Sequence, residues 1–194
     1  MPADLIIQNI TRHIRLNPEE KEHFLSLLQT KQLKRKQFLL HEGEICRYSA
    51  FVIKGCLRGY TVDKDGFEHV LNFAPPDWWA ADMYSLLSQK PGLLNIEALE
   101  DTDLLLLSKT NQEKLYHEIP QFERFFRIIT ENSLVSYQQR LIDNLSLTAE
   151  ERYHNFCKRY PSLIHCLPKK QIASYIGVTP EFFSRMQRQM LTRH

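Results

Sequence analysis

Glu181, Arg185 and Arg188 recur at i, i+4 and i+7, the spacing that sets side chains in one row along a helix. A guanidinium presents two parallel donors that match the O6 and N7 acceptors of guanine, and a carboxylate can accept from the N4 amine of cytosine. Ser184 and Thr179 add hydroxyls suited to a base edge or a phosphate, and Lys169, Lys170 and Gln171 add donors for a sugar–phosphate backbone. The chemistry open to this set is hydrogen bonding to the edges and backbone of duplex DNA.

Such a row works only if its helix is anchored by the opposite face. With Lys169 as position 1, a helix-turn-helix needs a small residue at position 5 and Gly at position 9; Ala173 and Gly177 stand there. Apolar residues are required at 4, 8, 10, 15 and 18, and these are Ile172, Ile176, Val178, Phe183 and Met186. Thr179 is an N-cap candidate, Pro180 suits the first helical position, and Glu181 favours the positive helix end. Burial of Phe183, Met186 and Met190 would turn Glu181, Ser184, Arg185 and Arg188 outward. The competing reading of the same stretch is an ordinary helical hairpin with a solvated charged face.

Charge is distributed in keeping with a polyanion partner at this end. From Thr148 onward eight basic residues face three acidic ones, a net +5, whereas the whole chain carries only +2 and the first 147 residues therefore −3.

The elements that must carry this end fall into three stretches, 1–114, 115–147 and 148–194. The chain to about Gln29 reads as helix, with Asn17-Pro18-Glu19-Glu20 as a capped start and Phe24, Leu27 and Leu28 as its apolar face. From Lys36 to Ser108 short runs read as strands near Gln37–His41, Ser49–Lys54, Cys56–Val62, Phe67–Phe73, Asn95–Leu99 and Asp103–Leu107, with a hairpin at Asp63-Lys64-Asp65-Gly66. Six short strands at this spacing suggest a small sandwich or rolled barrel. Helix resumes at Leu115, and from Phe122 to Leu145 no Gly or Pro interrupts it. That helix, about 36 Å long at 1.5 Å per residue, carries apolar residues on two faces. One face suits its own barrel and the other a second copy of the chain, although a long core helix in a monomer would show the same pattern. The fold class expected is α+β: an N-terminal β-roll, a long dimerisation helix and a C-terminal helix-turn-helix domain.

This layout, with "LLHEGEICRYSAFVIKGCLRGY", "IEALEDTDLLLLS" and the terminal "LPKKQIASYIGVTPEFFSRMQRQML", resembles the Crp/Fnr family of bacterial transcription regulators over nearly the whole chain. The resemblance implies a homodimer joined by the long helix, a cyclic-nucleotide-binding-like jelly roll that takes an effector, a terminal domain on near-palindromic double-stranded DNA, and RNA polymerase as a further partner. The family's base-reading Glu and Arg fall on Glu181 and Arg185. Pro180 stands where the family usually has Arg, so its typical site preference is not carried over in full. No β-wing is expected after the recognition helix, which leaves more of the backbone contact to Lys169, Lys170 and Arg193.

The effector cassette departs further. Cyclic-nucleotide-binding members have Gly-Glu for the ribose and a following Arg for the cyclic phosphate; here Ala81-Asp82 and Gly92-Leu93-Leu94 occupy those places, and no Arg occurs between Leu71 and Thr110. Lys90 could replace that Arg only as a mobile point charge. Loss of a buried charge-assisted pair costs roughly 2–5 kcal/mol, so binding of cAMP or cGMP in the usual mode is not expected. Trp78, Trp79, Met83 and Tyr84 make either an aromatic effector pocket or a core seam, with Asp82 as cap of a short helix between them. An unidentified small-molecule effector is possible, and no cofactor is expected.

Other classes find little support. A metal-binding β-roll enzyme would need His-x-His with a later Glu and His, which the eight scattered histidines do not provide. There is no GxSxG, P-loop or CxxC. Cys46, Cys56, Cys157 and Cys166 lie too far apart for a zinc ribbon and read as reduced thiols. Neither a signal peptide nor a membrane span is apparent, so a cytoplasmic, non-enzymatic regulator is expected. A β-roll module that acts through protein contacts rather than DNA remains the alternative.

Overall fold

The computed structural model describes residues 2–192. Two compact units emerge: one holds the chain up to Thr61 together with Asn72–Asn132, the other Val62–Leu71 and the chain from Ser133. This division cuts the long helix at Asn132 and gives a hairpin tip to the second unit, whereas the sequence pattern alone places boundaries after residues 114 and 147.

In the first unit, helix α1 (Pro2–Thr11) buries Ile6 and Ile10, one turn apart. Helix α2 (Pro18–Ser26) starts with a reciprocal capping box: Glu20 N–H donates to Asn17 Oδ1 at 2.8 Å, and Asn17 N–H donates to Glu20 Oε2 at 2.8 Å. Phe24 is the buried anchor and stacks on Phe122 with ring centroids 4.9 Å apart. The helix does not reach Gln29. Strand β1 (Leu28–Leu33) begins before it and pairs antiparallel with β8 (Thr102–Ser108), from Leu28 opposite Leu107 to Leu33 opposite Thr102. Backbone pairing overrides local pattern here, because the polar centre of β1 has nothing apolar to mark it as strand.

Strands β2 (Phe38–Leu40), β3 (Tyr48–Lys54), β4 (Leu57–Val62), β5 (Glu68–Ala74) and β7 (Asn95–Ala98) follow the expected runs within one or two residues. The two-residue β6 (Trp79–Ala80) is an addition, docked on Phe51 and Ala50 of β3. Two four-stranded sheets result, β1-β8-β3-β6 and β2-β7-β4-β5, the sandwich architecture expected from the strand spacing. Strand β8 explains itself: Leu104 and Leu106 join Leu40, Val52, Leu57 and Ile96 between the sheets, while Leu105 and Leu107 join Ile6, Phe51, Phe122 and Phe125 on the outer face of the first sheet. A strand buried on both faces loses its alternation and becomes a continuous apolar run. Gly55 follows β3 at φ +85°, and a Cβ there would lie 2.4 Å from Thr102 Oγ1, so this position accepts only glycine.

Helix α3 (Met83–Ser88) links β6 to β7. Helix α4 (Lys109–Glu118) starts six residues before the expected Leu115, because Ser108 Oγ accepts from Asn111 N–H and caps an N-terminal turn too polar to show an apolar period. Helix α5 (Gln121–Ser146) spans the uninterrupted stretch, and its first turns bury Phe122, Phe125 and Phe126.

In the second unit, α6 (Ala149–Arg159) opens on a Thr148–Glu151 capping box. It packs Phe156 with Tyr160 and with Tyr175 of α7 (Lys169–Ile176). Helix α8 (Pro180–Thr192) follows. Among the described residues, no helix is long and apolar enough to cross a membrane.

Candidate nucleic-acid interface and effector region

Helix α7 ends where Gly177 takes φ +73°, ψ +41°, with its N–H donating back to Ala173 and Ser174 carbonyls. The chain then turns into α8. Thr179 caps it, with its hydroxyl accepting from Phe182 N–H at 3.2 Å and its carbonyl from Phe183 N–H at 2.9 Å. Ile172, Ala173, Ile176, Phe183 and Met186 are buried, Val178 is half-buried, and Tyr153 of α6 meets the Phe183 ring at 5.2 Å. This wedge fixes the rotation of α8 about its own axis. Glu181, Arg185 and Arg188 are all exposed as a result, and Ser184 and Met190 are half-buried.

Arg185 leans over the Phe182 ring at 5.9 Å, and Arg188 Nε donates to the Ser184 carbonyl at 3.4 Å. Phe182 is itself 42% exposed, an apolar residue on the outward face that amphipathic period alone does not mark. Lys169 and Lys170 are exposed at the start of α7, whereas Gln171 is half-buried with Oε1 out of reach of solvent. Arg193 lies outside the described residues. The structure therefore brings a carboxylate and two guanidiniums onto one open helix face, with two ammonium groups at the start of the preceding helix.

One residue in this unit is invisible to motif reasoning. Arg140 of α5 donates through Nη2 to the carbonyls of Val70 (2.8 Å) and Tyr175 (2.7 Å) and through Nη1 to that of Leu71. Its guanidinium lies 4.1 Å over the Tyr175 ring. Burial pushes its pKa down and raises that of the Tyr175 phenol, yet an Arg keeps its proton. Ser174 closes the same seam, donating to Glu68 O at 2.6 Å and accepting from Val70 N–H at 2.9 Å. Hydrogen bonds from a charged donor contribute about 1.5–3 kcal/mol each, and stranded carbonyls add their own cost. Arg140→Met is accordingly expected to destabilise this unit by about 2–4 kcal/mol. Urea unfolding, with amide exchange at Ala173–Ile176 as the local probe, measures it.

The aromatic stretch after β5 divides. Trp79 is part of the core: it meets Phe51 at 5.2 Å and Phe126 at 5.5 Å, and its indole N–H donates to Asn9 Oδ1 at 3.1 Å. Trp78 packs half-buried against the cluster between the sheets. Met83 and Tyr84 are 38% and 51% exposed. Asp82 caps α3, with Oδ1 accepting from Ser85 N–H at 3.0 Å, while Oδ2 takes the N–H groups of Leu93 (2.8 Å) and Leu94 (3.0 Å). None of the five lines the cleft of about 500 Å³ in this unit, which opens instead beside β1 and the β2–β3 loop. Two thiols, Cys46 and Cys56, are buried, and burial raises the pKa of Cys46; Cys157 is half-buried and Cys166 exposed.

Sequence comparison supplies the decisive observation for the sandwich. Residues 30–118 match the cyclic nucleotide-binding domain family. That domain is fused to the helix pair described above, and the combination recurs in solved regulators. FixK2 from Bradyrhizobium japonicum superposes with a TM-score of 0.75 at 23% identity, covering 86% of this chain and 85% of its own. The c-di-GMP responsive global regulator CLP from Xanthomonas campestris gives 0.74 at 12% identity, covering 91% and 93%. A proposed Crp/Fnr-family transcriptional regulator from Eubacterium rectale gives 0.72 at 17% identity, covering 92% and 85%. No curated protein sequence matches the chain. The cyclic nucleotide-binding domain and the C-terminal helices thus make up the fold of Crp/Fnr regulators.

Proposed function

We propose that this protein is a homodimeric, sequence-specific DNA-binding transcription regulator of the Crp/Fnr type. The observation that carries the reading is the open row of Glu181, Arg185 and Arg188 on a helix whose opposite face is locked by Phe183 and Met186. Lys169, Lys170 and Gln171 at the first helix, with Thr179 and Ser184, supply phosphate and sugar contacts. Residues 1–114 serve as the sensing part, 115–147 as the dimer helix and 148–194 as the DNA-binding part. Contact with RNA polymerase follows from the same resemblance.

Dimerisation is supported by α5. Leu134, Leu141 and Leu145 are 67%, 61% and 81% exposed, with Val135 and Ile142 beside them at 65% and 47%. They lie at i, i+7 and i+11, the recurrence of a helix–helix seam. A contiguous apolar stripe of this kind marks an interface. Two copies related by a two-fold axis would present their recognition helices to successive major grooves about 34 Å apart. Selection of genomic fragments by the full-length protein, followed by footprinting and a salt titration, tests the reading; equal affinity for all fragments would reject it in favour of a module working through protein contacts.

Cyclic AMP is not the effector in the usual mode. The amide donors of Ser85, Leu93 and Leu94 already converge on the Asp82 carboxylate. A phosphate brought to this segment would meet a buried negative charge and no Arg. Calorimetry with millimolar cAMP or cGMP is expected to show no saturable binding, and operator affinity should not respond to either.

A further inference from the structure

The cleft beside β1 has a composition that specifies its occupant. Its wall is aliphatic, formed by Leu39, Leu40, Ile45, Ile96 and Leu106, and its volume of about 500 Å³ falls in the range of small-molecule sites. Three charged residues also line it: Lys31, Arg47 and Glu44. Glu44 is committed to its own loop, with Oε2 accepting from His41 N–H at 2.8 Å. Among the described residues, neither the Lys31 nor the Arg47 side chain has a hydrogen bond or ion pair. Lys31 sits opposite Leu104 in the β1–β8 ladder, and Leu104 faces the interior between the sheets. Directly opposed residues share a face, so this ammonium is aimed inward from an edge strand and is half-buried. Two cations against one carboxylate leave a net single positive charge on an apolar cleft.

The wall is braced from behind. Gly43 N–H donates to Gly92 O at 3.0 Å, Gly92 N–H to Glu44 O at 2.8 Å, and Cys46 N–H to Ser85 Oγ at 2.8 Å. A site held in place by such bonds spends little binding energy on ordering itself. We infer that this cleft binds a medium-chain aliphatic monocarboxylate, with the tail along Leu39, Ile45 and Leu106 and the head group between Lys31 and Arg47. No residue of the segment 81–94 lines this site.

An inward charge on an edge strand can also serve to block edge-to-edge pairing of sheets, and the test separates the two roles. Full-length protein titrated calorimetrically with octanoate is expected to bind one equivalent in the millimolar range or tighter. Hexanoate should bind about tenfold more weakly, about threefold for each methylene removed from a partly open wall. Octan-1-ol, equal in tail but neutral, should bind at least tenfold more weakly than octanoate. Lys31→Met and Arg47→Gln should each reduce octanoate affinity tenfold or more. Arg47 is exposed, so its variant decides the matter even if Lys31→Met self-associates. Octanoate that fails to saturate, octan-1-ol binding as tightly, or wild-type octanoate affinity in Arg47→Gln would overturn the assignment; the last result together with self-association of Lys31→Met would leave Lys31 as an edge guard.

Discussion

Leu141→Glu should turn the proposed dimer into a monomer and abolish tight operator binding while leaving each chain folded. Leu141 is 61% exposed in the single chain, so its replacement removes little from the subunit's own core. In the proposed dimer the same side chain would be fully covered, where a Leu contributes about 1.5–3 kcal/mol. Symmetry counts the change twice, and two carboxylates would then stand near the axis without partners. A dimer constant weakened by about 3–6 kcal/mol, or more than a hundredfold, follows from apolar burial alone. Sedimentation velocity at micromolar concentration reads the association state, and thermal unfolding checks that the fold persists. A Leu141→Glu protein that sediments as the wild type would remove α5 from the interface.

Legibility follows burial and the turns that bound it. Strands β3, β4 and β7 announce themselves as short, mostly buried runs between turn residues, and the α7–α8 wedge because its buried residues recur at helical spacing. Strand β1 does not, since it is polar between Leu28 and Leu33 and exists by pairing with β8. Asp82 is readable as a helix cap, but its acceptance of the Leu93 and Leu94 amides depends on a chain reversal that no local pattern encodes. Arg140 is the same case at longer range. In the sequence it is one of six charged residues in a long helix; in the structure it gathers carbonyls from residues 70, 71 and 175. The buried Arg58–Glu97 pair, 2.5 Å between Nη2 and Oε2, is likewise a product of register, since β4 and β7 place the two directly opposite. The exposed row of Glu181, Arg185 and Arg188 was legible because its spacing and its buried counter-face lie within a single helix. The cleft beside β1 was not, because its lining comes from five strands and a loop.

The second large effect concerns that row. Arg185→Ala removes a bidentate donor, and a good pair of this kind carries roughly 1–3 kcal/mol of discrimination per base contact. A two-fold complex uses the residue twice, so specific affinity should fall by about 2–6 kcal/mol, roughly thirtyfold to ten-thousandfold, with little change on random DNA. The row lies on the exposed face and Arg185 leans over the exposed Phe182 ring, so stability should hardly move. Lys170→Ala supplies the contrast: in the proposed complex its ammonium would meet phosphate, which is the same in every sequence, so all fragments should weaken together and the slope of log affinity against log salt should flatten by about one per lost contact. These two signatures are independent. A protein that merely adheres to polyanions would show the Lys170 behaviour at both positions, whereas one that reads bases must show loss of discrimination at Arg185 with its salt slope largely intact. Equal weakening of specific and random DNA by Arg185→Ala would therefore strip the α8 row of its reading role, even if the protein still bound DNA through its basic C-terminal charge.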